Sequence, residues 1–287
     1  MIYYSHKIKR GSPEAAPRQA LHRVIGYRPE EVYMNTENTK IQLPEFVTTK
    51  TGRKVRVPQM WDTKRNRLLH DGKTGVWSVG TLAGSAAAAE YQGYIPDACS
   101  SLPSCPGTCD QTCPGCYALR MSRYISTYLL LYVNTLEMRQ DPGRFYALVW
   151  LQLQRMTPRK RGDKFRLNES GDFETYEQFV AAMTFTRSIP EMRVWTYTKN
   201  YEFLDRYDIE HNKPANLGLM CSPWEGVCGA YKDLAQFILD DGTDPELANK
   251  PHCPAVDRNG HRTKVTCNQC GFCPTAKPGT KRYVYKH

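Results

Sequence analysis

Three cysteines in one short loop carry the strongest chemical signal in this sequence. Cys109, Cys113 and Cys116 are spaced four and three residues apart, and Pro114 and Gly115 let the chain turn tightly between the last two. Three thiolates this close together suit an iron-sulfur cube, which normally takes four cysteine ligands. With only three, one iron keeps an open coordination position, as the metal of a catalytic zinc site does. Such an iron can chelate the amino and carboxylate groups of a methionine-derived cofactor.

A zinc site is the alternative for the same loop. Cys105 lies four residues upstream of Cys109 and would complete a set of four tetrahedral thiolate ligands. Zinc sites more often use two separated pairs of cysteines than four in one loop, so the spacing favours the open iron-sulfur cluster. Three further cysteines, at positions 99, 221 and 228, have no assigned role and are interpreted as small buried residues.

A second group of cysteines lies near the end of the sequence. Its members are Cys253, Cys267, Cys270 and Cys273. The last three have C-x2-C-x2-C spacing, close to the start of the bacterial ferredoxin run, and Cys253 offers a fourth ligand. The group predicts a second, fully ligated [4Fe-4S] cluster that relays electrons or clamps the segment, with zinc as the alternative. His252 and His261 lie close enough in sequence to replace a thiolate.

The segments around these cysteines alternate between helical and strand patterns. Apolar spacing and turn residues predict helices at 117–140, 142–156, 174–187 and 201–207, and strands at 164–167, 193–197 and 216–220. Alternation of this kind predicts parallel βα units with a site at the carboxyl ends of the strands. The predicted fold class is therefore α/β, as either a barrel or an open sheet. Loops at 170–173, 198–200 and 221–224 would surround the site.

Three regions follow from this pattern. Residues 1–98 contain short alternating stretches, such as 54–57 and 76–79, and predict a small β-rich N-terminal accessory region. Residues 99–239 would form the α/β core. Residues 240–287 are rich in proline, glycine and cysteine, and predict an irregular segment organised by metal.

Composition limits the cellular setting and the partners. The sequence has 287 residues, is 40% hydrophobic, and has neither an apolar run long enough to span a membrane nor an apolar N-terminal leader. Eleven cysteines, most of them crowded into two groups, indicate metal binding in a reducing compartment. We therefore expect a cytoplasmic protein without a membrane partner. The net charge of +10 favours a polyanion such as a nucleic acid as partner.

Several motifs together resemble known families. The C-x3-C-x2-C spacing is similar to that of the radical S-adenosylmethionine superfamily. The stretches 113–118, 165–166, 170–173 and 195–199, with Cys253-Pro254 and the final triple-cysteine run, resemble the phage-encoded family labelled gene product eighty-eight. This resemblance covers roughly residues 99 to 287. It implies a partial barrel of radical S-adenosylmethionine type, working in the host cytoplasm if the chain is phage-encoded.

The resemblance also implies a reaction and a set of cofactor contacts. Cys109, Cys113 and Cys116 would bind the open cluster that cleaves S-adenosylmethionine to a 5′-deoxyadenosyl radical. The implied cofactor contacts are Tyr117, Asn168, Ser170, Gly171, Asp172 and Lys199. Glu169 is an alternative contact, and Asp172 could instead cap the following helix.

The expected substrate is a nucleic acid, with a modified DNA base favoured, because exposed aromatic side chains can stack on bases. An external electron donor is implied as a partner. The rival functions are a radical enzyme that acts on a peptide and a zinc-containing nucleic-acid-binding protein without catalysis.

Overall fold

The structure is a computed structural model that describes residues 45–48, 52–58, 68–71, 76–83, 118, 124–222, 234–240 and 242–285. The predicted open-cluster loop lies outside these residues. This applies to Cys109, Cys113, Cys116 and Tyr117, and equally to Cys99, Cys105 and Cys228. The second group of cysteines and the predicted cofactor contacts from Asn168 to Lys199 are described.

The main sheet has seven strands arranged in the order of the chain. They are β3 (Leu69–Asp71), β4 (Val76–Ser78), β5 (Lys164–Arg166), β6 (Arg193–Thr198), β7 (Leu217–Cys221), β8 (Ala235–Asp240) and β9 (Lys281–Tyr285). The strands from β4 to β9 are parallel and curl into a half-barrel, and β3 pairs with β4 in antiparallel orientation. The mixed α/β class is therefore confirmed.

A small antiparallel sheet accompanies the half-barrel. It consists of β1 (Phe46–Thr48) and β2 (Lys54–Arg56), in which Val47 pairs with Val55. Both valines are buried in a core cluster that includes Leu131 and Leu136 of the first described long helix. The small sheet thus packs on that helix through its apolar face, as its alternating burial pattern requires.

Most of the helices cover one face of the main sheet, and the last short helix belongs to the C-terminal segment on the other face. Their bounds are α1 (Ile125–Gln140), α2 (Pro142–Gln154), α3 (Pro158–Arg161), α4 (Tyr176–Ser188), α5 (Tyr201–Arg206), α6 (Ile209–Asn212) and α7 (Cys267–Cys270). Asp141 ends α1 and caps α2, because its carboxylate accepts from the Arg144 N–H at 2.9 Å. Apolar side chains of α2 and α4 form one core with those of β5, β6 and β7.

Three features of the fold differ from the sequence-based expectation. The first long helix begins at Ile125 and not at Tyr117, since Tyr124 has extended backbone angles of −89° and 106°. The stretch 76–79 was assigned to an accessory region, whereas β4 pairs directly with β5 in the main sheet. Likewise, the C-terminal segment is not wholly irregular, because β9 is the last strand of the half-barrel.

No helix in the described part of the chain is both long and apolar enough to cross a membrane.

Candidate functional site

The two faces of the half-barrel have different chemistry. Side chains alternate between faces along a strand, and Phe165, Val194 and Leu219 point into the helix-covered core. The opposite face carries Arg166 and Tyr197 and is covered by the C-terminal segment. We call it the cysteine face, defined by β5, β6 and β7 on the side away from the helices.

The C-terminal segment packs directly on the backbone of β7. The short 3₁₀ helix Cys273–Thr275 lies on Gly218, where an added Cβ would collide with the carbonyl oxygen of Cys273 and lie 3.1 Å from the Cα of Pro274. Glycine in a strand interior often marks such a close backbone approach. This contact fixes the distance between the cysteines and the main sheet.

Local turns bring three of the cysteines together. Thr266 and Gln269 form a capping box that starts α7, and Gly271, with φ at +63°, ends it after one turn. The chain therefore reverses between Cys270 and Cys273. The capping box and the left-handed glycine are local signals, so this part of the arrangement follows from the sequence around the motif.

Cys253 reaches the same place through pairing with β9. Its backbone N–H donates to the carbonyl of Tyr283 at 2.7 Å, and the Tyr283 N–H donates to the carbonyl of Pro251 at 3.1 Å. The structure thus brings together four cysteines that the sequence separates into one and three. All four are half-buried.

These thiols influence one another electrostatically. Burial raises the pKa of Cys253 and Cys267, and negative charge on neighbouring cysteines raises it further. Burial also raises the pKa of Cys273 to about 12, although a hydrogen bond from Tyr197 opposes the shift. Four thiols are a donor set of the kind that thiolate-bound metal centres use. Metal binding by such thiols would release their protons.

Within the described ranges, no three His, Cys, Asp or Glu side chains are arranged around one position that could hold a single metal ion. Of the two histidines predicted as substitute ligands, His252 places Nε2 2.7 Å from Asp240 and Nδ1 2.8 Å from the Lys250 carbonyl oxygen. Both of its ring nitrogens are thus engaged. His261 has an exposed side chain.

Those predicted cofactor contacts that the structure describes meet at the carboxyl edge of the parallel strands. The loop after β5 runs beside the extension of β4, because the Glu169 N–H donates to the Val79 carbonyl and the Thr81 N–H donates to the Ser170 carbonyl, both at 2.9 Å. The Glu169 carboxylate accepts a short hydrogen bond from the Ser78 hydroxyl. These contacts fix a buried polar loop at the edge where parallel sheets bind ligands.

Two side chains of this loop are buried and have no hydrogen-bond partner among the described residues. Neither the amide oxygen nor the amide nitrogen of Asn168 has a partner, and the Ser170 hydroxyl has none. The two residues are 4% and 1% exposed. Each unsatisfied polar group costs about 1–3 kcal/mol. Asn168 also has φ at +49°, a left-handed backbone angle that is unfavourable for most residues other than glycine. Buried unpaired groups in a strained loop are typical of ligand sites.

Asp172 joins the loop after β5 to the loop after β6. Its Oδ1 accepts from the Phe173 N–H at 2.8 Å and from the Thr198 hydroxyl at 2.9 Å, and its Oδ2 accepts from the Lys199 N–H at 2.8 Å. Burial raises the pKa of Asp172 to about 6, while these hydrogen bonds limit the shift. The prediction that Asp172 might cap the next helix is wrong, because Thr175 accepts the N–H of Gln178 there.

The remaining predicted residues fall in place around this carboxylate. Gly171 has φ at +77°, so the chain turns directly before Asp172. Lys199 follows β6, and its backbone N–H donates to the Asp172 carboxylate. The sequence reasoning missed Ser78 and Thr81. The strand pattern at 76–79 was the signal that could have found them. A strand there that belongs to the main sheet is a parallel neighbour of β5. Cys221, interpreted as a small buried residue, lies in the helix-side core.

Comparison with known proteins gives one family. No curated protein and no solved structure matches the chain. The family model described as gene product 88 matches residues 61–276, which is more than half of the chain's 287 residues and includes both cysteine groups and the polar loop. The match begins upstream of β3, so it includes every strand of the half-barrel except β9. The chain therefore belongs to the gene product 88 family.

Proposed function

We propose that this protein is a radical S-adenosylmethionine enzyme. The observation that carries the proposal is the buried, unpartnered pair of Asn168 and Ser170 side chains at the carboxyl edge of the half-barrel. An amide that offers both a donor and an acceptor, beside a hydroxyl, suits a ligand with amino, carboxylate and ribose hydroxyl groups. The three-cysteine loop supports the same cofactor, because its spacing leaves an iron open for chelation.

Each group of residues has a separate task in this proposal. Cys109, Cys113 and Cys116 would hold a cluster that supplies the electron for cleavage of the sulfonium bond. Asn168 and Ser170 would bind and orient S-adenosylmethionine in a site from which water is excluded. We keep Tyr117, Gly171, Asp172 and Lys199 in this proposal as further cofactor contacts.

Asp172 has a positioning role within it. By accepting the Thr198 and Lys199 hydrogen bonds, it fixes the loop after β6 against the loop after β5. The carboxylate would therefore keep the Lys199 backbone at a constant distance from Asn168 and Ser170. A displaced loop would weaken cofactor binding without removing any direct contact.

The proposed substrate is a nucleic acid, with a DNA base favoured. Support comes from the net charge of +10 and from exposed basic residues such as Arg159 and Lys160. A peptide substrate is the rival within the same chemistry, and an external electron donor is required in either case. Binding to DNA that weakens steeply between low and moderate salt is expected, and no binding at low salt would count against a nucleic-acid substrate.

A zinc-containing nucleic-acid-binding protein is the second candidate function. The observation in its favour is the turn after Cys253, where Arg258, Arg262 and Lys264 are exposed next to the cysteines. Metal analysis separates the two functions directly. Zinc in stoichiometric amount, in colourless protein without sulfide, would favour binding over catalysis.

The central test is cofactor cleavage under anaerobic conditions. Protein reconstituted with iron and sulfide should hold about eight irons if both centres are cubes. With dithionite it should convert S-adenosylmethionine to 5′-deoxyadenosine. Cys113→Ala should lose this activity and roughly half of the iron. Intact, iron-loaded protein that forms no 5′-deoxyadenosine would contradict the proposal.

Ser170→Ala should separate cofactor binding from stability. Removing an unpartnered hydroxyl is expected to leave the melting temperature unchanged or raise it, while the affinity for S-adenosylmethionine falls about fivefold, as for the loss of about 1 kcal/mol. Equilibrium binding and thermal unfolding measure the two effects. Ser188→Ala is the matched control, since its hydroxyl donates to the Phe185 carbonyl at 2.6 Å in α4. It should lower stability slightly and leave cofactor affinity unchanged. Equal affinity in Ser170→Ala and wild type would exclude Ser170 as a contact.

A further inference from the structure

The cysteine face contributes two side chains to the C-terminal group of cysteines. Tyr197 of β6 donates a hydrogen bond from its hydroxyl to the sulfur of Cys273 at 3.0 Å. The residues are 76 positions apart in sequence, so no local motif indicates the contact. The Tyr197 ring is supported by Phe237 of β8, whose centroid lies 4.7 Å away. The hydroxyl is therefore held in place by the sheet.

Arg166 brings positive charge to the same group. It lies on the neighbouring strand β5 with its guanidinium carbon 5.2 Å from the centre of the Tyr197 ring. Because the Tyr197 hydroxyl donates to the sulfur of Cys273, this guanidinium lies near the cysteines on the side of the sheet.

A hydrogen bond to a ligand sulfur and a nearby positive charge have the same effect on a redox centre. Both stabilise the state with more negative charge, which is the reduced state, and so raise the reduction potential. The Tyr197 hydroxyl and the Arg166 guanidinium approach from the sheet side, while the cysteines are supplied by the C-terminal segment. The side chains around the centre therefore come from two parts of the chain, the main sheet and the C-terminal segment.

We infer that Tyr197 and Arg166 complete a C-terminal iron-sulfur centre from the sheet side and raise its reduction potential. The inference rests on the part of the proposed function that assigns a [4Fe-4S] cluster to Cys253, Cys267, Cys270 and Cys273. It does not depend on S-adenosylmethionine cleavage. Tyr197 and Arg166 act here as positioning residues, through the sulfur ligands.

The test uses the full chain with Cys109, Cys113 and Cys116 replaced by alanine, so that only the C-terminal centre is loaded. After anaerobic reconstitution, the midpoint potential of the one-electron reduction by dithionite is followed by electron paramagnetic resonance. Tyr197→Phe removes the hydroxyl and keeps the ring. It should shift the midpoint to lower potential while the iron and sulfide content stays that of the parent.

A second pair of variants tests Arg166 independently. Arg166→Gln should lower the midpoint potential, and Arg166→Lys, which keeps the charge, should restore most of the shift. Tyr207→Phe is the matched control, because the Tyr207 ring also lies beside an arginine guanidinium, that of Arg187 at 5.7 Å, but packs with the helices of the other face. It should leave the midpoint unchanged.

Several results would overturn the inference. An unchanged midpoint in both Tyr197→Phe and Arg166→Gln would do so, and so would a shift of equal size in Tyr207→Phe. Bound zinc without iron or sulfide, or a parent protein that retains no iron, would also overturn it. The midpoint potential is measured without cofactor cleavage. A protein that fails to cleave S-adenosylmethionine can therefore still confirm or overturn this inference.

Discussion

Gly218→Ala is expected to lower the free energy of unfolding by about 3 kcal/mol and to prevent metal binding at the proposed C-terminal centre. The added Cβ would meet backbone atoms of Cys273 and Pro274 and no flexible side chain. A change of rotamer therefore cannot relieve the overlap. Either the segment Cys273–Thr275 lifts away from β7 or the strand moves, and in both cases the sulfur of Cys273 leaves its place beside Tyr197.

The measurements for this prediction are iron content after reconstitution and urea-induced unfolding. Gly162→Ala is the matched control, because an added Cβ at Gly162 has no described atom within 4 Å. It should be destabilised by about 1–3 kcal/mol, because φ at +72° with ψ at −171° is a backbone region that glycine alone adopts readily, and it should retain its iron. A Gly218→Ala protein with normal iron content and wild-type stability would show that the C-terminal segment does not rest on β7.

Asp172→Ala is expected to destabilise the chain by about 3–5 kcal/mol, since it leaves three buried donors without an acceptor. These donors are the backbone N–H groups of Phe173 and Lys199 and the hydroxyl of Thr198. Loss of the acceptor also frees the loop after β6 from the polar loop. Cofactor affinity should therefore fall together with stability, in contrast to Ser170→Ala.

The carboxyl group of Asp172 also predicts that the stability of the folded chain decreases as the pH rises. The pKa of Asp172 is about 6 in the folded chain, against the ordinary value of 3.8. The folded state thus binds the proton more tightly than the unfolded state, and the stability from Asp172 is fully present below about pH 4. It declines as the pH rises to about 6, and stays constant above that.

Asp172→Asn should remove this slope, because an amide does not titrate. Unfolding free energies measured by denaturant between pH 4 and 7 give the comparison with wild type. Asp163→Asn, an exposed neighbour on the other side of β5, is the control and should keep the wild-type slope. An identical slope in wild type and Asp172→Asn would mean that the buried carboxyl does not titrate in this range.

Elements with strong local signals were predicted well from the sequence. The helix that begins at Pro142 and the strand that begins at Arg193 both start where expected, because a proline at the first helical turn and a β-branched, aromatic run are local preferences. The start of α1 was predicted wrongly. Apolar spacing continues upstream of Ile125, but periodicity alone does not report the extended backbone of Tyr124.

The assignment of Val76–Ser78 shows a different limit. Its strand character was predicted, but its partner β5 begins 86 residues beyond its last residue, with α1, α2 and α3 in between. Strand pairing over such a distance depends on how the intervening helices pack. The sequence pattern therefore predicted the strand and missed its sheet.

By itself, the sequence determined the ligand types, the C-x3-C-x2-C and C-x2-C-x2-C spacings, and the alternation of strands and helices, because these depend on residues close together in the chain. Only the tertiary structure decided how β9 brings Cys253 to the other three cysteines and that Tyr197 and Arg166 face them. It also decided that Asn168 and Ser170 are buried with no hydrogen-bond partner among the described residues. The reason is physical. Burial and long-range contacts follow from the packing of distant segments on the two faces of one sheet, and no short stretch of sequence specifies which face a segment covers.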